Sequence, residues 1–153
     1  YHYASKELLL EACVRRAITD LSVALDEAIR KSSHGWDRIE SIVKRVFRLA
    51  NNRPELLGLL REVTRLGPPM LTYAVDGIRP LLEGATMWLT EEMKAGRVRK
   101  SDPELLVLSA YSTIMGAAAE VKLFEALGEE STIRDVAIRR QELLRFLKIA
   151  LIP

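Results

Sequence analysis

Apolar residues recur at every third or fourth position along almost the whole chain, and this spacing constrains the fold more than any other feature. It places apolar side chains on one face of an α-helix, whereas a half-buried strand needs strict alternation of apolar and polar residues. No window of the sequence shows sustained alternation bounded by strand-type turns. The sequence therefore predicts an all-α fold.

Proline, glycine and capping residues divide this pattern into about six helices. Ser5 and Asp102 are favourable N-caps, and Asp37 with Glu40 resembles a capping box. Pro80 lies inside the fourth helix, where proline removes a backbone donor and favours a kink. The connections are short, which favours antiparallel packing of neighbouring helices. The predicted helices cover residues 5–31, 37–52, 54–66, 70–95, 103–127 and 132–150.

Composition narrows the class of protein. With 153 residues, 48% of them hydrophobic and 29% charged, the chain suits one soluble globular domain. A net charge of +2 gives the chain little electrostatic attraction to nucleic acid. The single Cys13 excludes an internal disulfide, and we expect it to be a small buried side chain. Because no segment resembles a membrane span or a signal peptide, we expect a cytoplasmic protein.

The sequence offers few groups for catalysis. Its two histidines, His2 and His34, lie near predicted helix ends, and we expect His34 to be solvated. No Ser-His-acid set, His-Glu-x-x-His motif or glycine-rich phosphate loop is present. We therefore expect a protein that is not an enzyme and that uses no metal or cofactor.

The first ten residues carry the most specific motif of the chain. An aromatic pair separated by one residue is followed by a short turn, Ser-Lys-Glu and a run of leucines: Tyr1-His2-Tyr3-Ala4-Ser5-Lys6-Glu7-Leu8-Leu9-Leu10. This stretch resembles the junction of TetR-family transcriptional regulators, in which such a pair ends the recognition helix and Ser-Lys-Glu begins the connecting helix. The segment from Ala95 to Leu105 resembles, more loosely, the family's turn between its seventh and eighth helices.

The resemblance implies a division of the chain. Residues 1–4 would end the recognition helix, and residues 5–153 would form the ligand-sensing and dimerisation domain, as helices four to nine of the family. The rest of the helix-turn-helix would precede Tyr1, so we expect the sequence to be part of a longer protein. Tyr1, His2 and Lys6 match positions that meet the DNA backbone in the family. Alternatively, Tyr1 and Tyr3 pack between domains and Lys6 is solvated.

The last two predicted helices have the features of an interface. Small residues at helical spacing on the fifth helix would allow another helix to approach closely. The sixth helix is apolar around most of its circumference, and one core cannot bury both faces. We predict a homodimer, with central burial within the monomer as the alternative. The predicted interface residues are Ser109, Ser112, Gly116, Ala119, Leu143, Phe146 and Leu147.

A ligand pocket is predicted beside the fourth helix, where two glycines share a face with two large aromatic rings. Because glycine has no side chain, the two glycines would leave space for a ligand. Close approach of another backbone, or ordinary core packing, would also explain why glycine occurs there. The predicted lining residues are Phe47, Leu60, Tyr73, Gly77, Leu81, Gly84, Trp88, Tyr111 and Met115.

Together these features favour a one-component regulator, most simply a repressor released from operator DNA by a small, mostly apolar effector. The alternative is a helical dimerisation module that binds no small molecule. An enzyme is the least favoured class, for want of catalytic groups.

Overall fold

A computed structural model describes residues 4–153 and confirms the all-α class. The first three residues lie outside the described part. Within the described part there are seven helices: α1 (Lys6–Lys31), α2 (Trp36–Asn52), α3 (Pro54–Leu66), α4 (Met70–Lys94), α5 (Pro103–Ala119), α6 (Val121–Ala126) and α7 (Ile133–Leu151).

Several predicted helix ends are confirmed by their caps. The hydroxyl of Ser5 accepts a hydrogen bond from the Leu8 N–H, and Asp102 accepts one from the Leu105 N–H. Thr132 and Asp135 form a reciprocal capping box at the start of α7. These contacts satisfy backbone donors that a helix start leaves free.

Two predicted boundaries are wrong. Helix α2 begins at Trp36, with Gly35 as its N-cap, so Asp37 lies inside the helix, where its carboxylate accepts from the Ser33 hydroxyl. Gly35 has a φ of +60°, a conformation that glycine adopts without strain, and this allows the tight entry. The fifth predicted helix ends at Ala119 and is followed by a separate α6, because Glu120, at ψ 38°, leaves the helical conformation.

One continuous core joins the helices. α1 packs on α2, α3 and α4, whereas α5 packs on α2, α3, α4 and α7. α2 lies between these groups and contributes four buried residues, Ile39, Val43, Val46 and Phe47. A smaller cluster under the end of α4 contains Leu89, Val98 and Val107. α2, α3 and α4 thus each contact both α1 and α5, and α2 also contacts α7.

The turn after α4 is held by a buried carboxylate. Glu92 is 2% exposed, and its two oxygens accept hydrogen bonds from Arg97 Nε at 2.7 Å and Nη2 at 2.8 Å. The bonds from Arg97, with a smaller contribution from the Gly35 backbone, lower the pKa of Glu92 despite its burial. The backbone N–H groups of Arg97 and Val98 also donate to the Glu92 carbonyl. Glu92 thus fixes the α4–α5 turn beside the start of α2.

We expect Glu92→Gln to lower the free energy of unfolding by about 1–3 kcal/mol at neutral pH, because it weakens two charge-assisted hydrogen bonds at a buried position. Since the pKa of Glu92 is lowered in the folded state, this stabilisation is present above the ordinary glutamate pKa of 4.5 and is lost as the pH falls below it. Urea titrations of both proteins from pH 7 to pH 3 measure this. Glu91→Gln, which removes an exposed pair with Lys94, is the control and should cost under about 1 kcal/mol. Equal effects of the two changes would contradict this role.

Candidate functional site

One candidate site is an open groove of about 660 Å³ between the first half of α1 and the start of α3. Its floor is mostly apolar, and three cations and one acid lie among its lining residues. We call it the α1–α3 groove, and its residues are Lys6, Leu9, Leu10, Ala12, Cys13, Arg16, Ala17, Arg53, Glu55, Leu56 and Leu59.

Acidic side chains already neutralise the two arginines of this groove. Arg16 Nε lies 3.0 Å from one oxygen of Asp20, and Arg53 Nη1 lies 3.0 Å from the other. Arg53 Nε also bonds Glu55 at 2.7 Å. Partial burial acts to raise the pKa of Asp20, but the hydrogen bonds from Arg53 and Arg16 outweigh it and lower the pKa. The floor of the groove is therefore apolar, and its two arginines are paired, which suits contact with another apolar surface.

Apolar side chains stay uncovered at the start of α1. Leu8 is 48% exposed and Leu9 is 44% exposed, and both lie in the first turn of the helix. Cys13 is exposed too, so the expectation of a buried cysteine is wrong: Val14 and Ala17 face the core, and Cys13 falls on the side of the groove. The beginning of α1 thus presents an apolar surface that nothing within residues 4–153 covers.

The second cavity has a volume of about 200 Å³ and lies where the end of α2 meets the end of α5, α6 and the start of α7. Apolar side chains form most of its wall, and three polar residues complete it. We call it the α2–α7 cavity, and its residues are Phe47, Ala50, Asn51, Pro54, Ala117, Ala118, Val121, Ser131, Val136 and Arg139.

The residues predicted to bind a ligand are divided between the core and the surface of α4 and α5. Phe47, Leu60 and Met115 are buried in the main core, with Tyr73 and Trp88 packed against it. Among the nine, only Phe47 lines either of the two cavities described above. The others lie on partly open faces: Leu81 and Gly84 are half-buried, Gly77 is exposed, and Tyr111 is 37% exposed.

Two of the four aromatic rings predicted for the pocket, both on α4, lie under cations. Arg15 stacks over Tyr73 at 5.2 Å from the ring centre, and Arg38 stacks over Trp88 at 5.4 Å. Trp88 Nε1 is buried and has no hydrogen-bond partner among residues 4–153. Burial raises the pKa of Tyr111. The cation–π contacts of Tyr73 and Trp88 connect α4 to α1 and α2. The ligand role predicted for the aromatic residues stays a prediction.

The two glycines of α4 differ in their surroundings. A Cβ at Gly77 would lie 2.8 Å from Ile18 Cδ1 and 3.1 Å from Cγ2, so close approach of α1 explains this glycine rather than space for a ligand. At Gly84 a Cβ would meet nothing within 4 Å. Of the two glycines, Gly77 therefore allows close packing of α4 on α1, whereas Gly84 lies at an open position.

The residues predicted to form the dimer interface are divided between the monomer core and the surface. Leu143 and Leu147 are buried in the core of the monomer, whereas Phe146 on the same helix is 58% exposed. Ser109 and Ser112 are exposed, and Gly116 and Ala119 are half-buried. Exposed apolar residues accompany them on both helices, and the set we call the α5–α7 face is Leu105, Leu108, Ser109, Ser112, Phe146 and Ile149. α5 and α7 contact each other within the monomer.

Of the three residues predicted to meet DNA, Tyr1 and His2 lie outside the described residues. Lys6 is exposed at the first position of α1 and lines the α1–α3 groove. It forms no ion pair within residues 4–153, so its ammonium group is free to meet an anion.

Both cavities contain residues that sequence reasoning did not select. The run Leu8-Leu9-Leu10 was a usable signal, because three consecutive apolar residues on a helix cannot all face one core. No comparable signal pointed to Arg53 or Arg139, since an arginine on a helix is usually solvated. Their positions depend on contacts between helices distant in sequence.

Comparison with known proteins gives information on the fold alone. No protein-family model matches the chain, and no curated protein matches it. A solved structure described as a protein with unknown function from Rhodococcus sp. RHA1 is similar, with a TM-score of 0.74 and 21% sequence identity. The match covers 95% of this chain and 74% of that one, so the same arrangement of helices occurs within a longer chain. Within residues 4–153, no helix combines the length and apolar character needed to cross a bilayer.

The glycine contacts predict opposite effects of two substitutions. Gly84→Ala should stabilise the fold by about 0.5–1 kcal/mol, because alanine favours helix and meets open space. Gly77→Leu should destabilise it by about 1–3 kcal/mol, because the added Cβ must displace Ile18. Thermal and urea unfolding measure both. In an Ile18→Val background, which removes the nearest atom, the penalty at Gly77 should shrink; an unchanged penalty would show that Ile18 is not its cause.

Proposed function

We propose that this chain is the sensing and dimerisation part of a ligand-responsive, one-component transcriptional regulator of the TetR type. The observation that carries the proposal is the structure of α1. This helix of 26 residues begins directly after Ser5, whose side chain caps it, and it packs on α2, α3 and α4. A single helix would thus connect the bundle to a DNA-reading segment.

The uncovered surface beside this junction supports the proposal. Leu8 and Leu9, with the apolar floor of the α1–α3 groove, form a surface directly after Tyr1–Tyr3. We infer that a helix-turn-helix preceding Tyr1 packs on it. Such packing would hold the recognition helix at a fixed angle to α1, so that a shift of α1 changes where that helix lies on DNA. The phosphate backbone would be met near the exposed Lys6.

The α5–α7 face supports a homodimer. A four-helix arrangement of α5 and α7 from two copies would cover Phe146, Leu105 and Ile149, which are 58%, 63% and 67% exposed. A second copy provides the same apolar face by two-fold symmetry, so no other partner chemistry is needed. A dimer would place two recognition helices against two operator half-sites.

In the mechanism we propose, a small, mostly apolar effector favours one of two spacings of the paired α1 helices. The effector acts only by binding that state more tightly than the DNA-fitted one. Repression released by the effector is the simplest form. A dimerisation module without a ligand is the second candidate, and it is favoured by the extent of the α5–α7 face.

A substitution at the α5–α7 face tests the dimer. Phe146→Glu should turn the dimer into a monomer, or weaken it at least about tenfold, because it places a charge in an apolar interface. Helix content should not change, since Phe146 is outside the core. Sedimentation velocity at micromolar concentration measures the mass. Val23→Glu, at an apolar residue of α1 that is 51% exposed, is the matched control and should stay dimeric. A monomeric wild-type protein would contradict the interface.

DNA selection tests the regulatory function. The complete gene product containing this chain should enrich a two-fold symmetric site from random duplexes, whereas residues 1–153 alone should bind weakly and without sequence preference. The reason is that base-edge contacts need the whole recognition helix. A mobility shift with the selected site measures both proteins. A complete product that selects no sequence, or residues 1–153 binding tightly and selectively, would contradict the proposal.

A further inference from the structure

The α2–α7 cavity combines an apolar wall with donors that lack a partner. Phe47, Ala117, Ala118, Val121 and Val136 supply the apolar part. No aspartate or glutamate lies among the lining residues, while one arginine does. Arg139 is therefore the one charged residue among those lining the cavity.

Arg139 carries the positive charge of the lining. Its guanidinium forms no ion pair with any carboxylate of residues 4–153, and its one hydrogen bond is a long contact of 3.5 Å from Nη2 to the Glu130 carbonyl. It stacks on the Phe124 ring at 4.1 Å from the ring centre. Stacking limits the orientations of the guanidinium plane and leaves its edge free to donate.

A second donor lies in the same wall. The Oγ atom of Ser131 is buried and has no hydrogen-bond partner among residues 4–153. A buried hydroxyl without a partner is costly, and in folded proteins such groups are usually satisfied by a neighbour, a water molecule or a ligand. Asn51 adds a side-chain amide to the wall. Three polar residues, Asn51, Ser131 and Arg139, thus line the cavity, and the Ser131 hydroxyl is without a partner among residues 4–153.

We propose that the α2–α7 cavity binds a small apolar carboxylic acid. The carboxylate meets the edge of Arg139 and the Ser131 hydroxyl, and the hydrocarbon part lies against Phe47, Ala118 and Val136. Arginine suits this group because its parallel N–H bonds match the two oxygens of a carboxylate.

The volume limits the size of the acid. An apolar cavity of about 150 Å³ holds one benzene molecule, so about 200 Å³ holds one ring with a carboxylate or an aliphatic acid of roughly six to eight carbons. A single guanidinium compensates one negative charge, which disfavours phosphates and dicarboxylates. The site goes beyond the proposed regulatory function, because its occupancy can be measured whether or not the chain acts on DNA.

Calorimetric titration with benzoate, hexanoate and the neutral benzamide tests the proposal directly. We expect at least one of the two acids to bind with a dissociation constant of about 0.01–1 mM, in the range for ligands of this size. Benzamide should bind at least about tenfold more weakly than benzoate, because it lacks the charge. Methyl resonances of Ala117, Ala118 and Val136 in NMR spectra should shift on binding and so locate the site.

Two variants separate a ligand role from a structural one. Arg139→Gln should weaken acid binding at least about tenfold, whereas Arg134→Gln, an exposed arginine of the same helix, should not. Ser131→Ala should weaken binding by about threefold to tenfold without lowering the melting temperature of the free protein, because it removes a hydroxyl that has no partner there.

Three results would each overturn the proposal. They are no binding of either acid at millimolar concentration, equal binding of benzamide and benzoate, and unchanged acid affinity in Arg139→Gln. If Arg139→Gln fails to fold, Ser131→Ala and the NMR shifts decide instead, and shifts confined to residues outside the cavity would contradict it.

Discussion

The buried face of α2 underlies the packing of four other helices, because α2 contacts α1, α3, α5 and α7. Its residues Ile39, Val43, Val46 and Phe47 are buried in the main core. Because these side chains are almost fully removed from water, each contributes roughly 1.5–3 kcal/mol of apolar burial. Loss of these contacts would remove one connection between α1, which begins at the proposed junction to a DNA-reading segment, and the helices that carry the α5–α7 face.

The three surfaces described above lie on different helices. The α1–α3 groove lies between α1 and α3, and the α5–α7 face combines exposed residues of α5 and α7. The α2–α7 cavity lies at the C-terminal end of α2, beside α5, α6 and α7. A ligand at that end would contact α2, α5 and α7 at once and could change how they pack. The core and this candidate site are therefore not independent, because Phe47 belongs to both.

The sequence predicted most of the fold because helix formation is signalled locally. Pro54 and Leu66 bound α3 as expected, and Thr132 with Asp135 caps α7, since capping depends on residues within one turn. The break at Glu120 was not predictable in this way: no proline or glycine marks it, and Glu120 instead forms an ion pair with Arg61 of α3 at 3.0 Å. That contact joins residues far apart in the chain.

The sites were harder to predict for the same physical reason. A glycine on a helix face signals either space or a close neighbour, and only the position of Ile18 shows that Gly77 has a close neighbour. Likewise, the doubly apolar character of α7 was visible, but the division between buried Leu143 and exposed Phe146 depends on where α2 and α5 lie. Periodicity indicates which residues share a face, and tertiary packing determines what that face meets.

The central claim is that α1 transmits the state of a dimeric bundle to a DNA-reading segment. Pulsed electron paramagnetic resonance tests it most directly, with Cys13→Ser and a spin label at Val23→Cys, an exposed position of α1. In the complete gene product the account predicts one dominant distance between the two labels, with a different mean in the free and operator-bound states. The absence of dipolar coupling, or an identical distance distribution in both states, would contradict it.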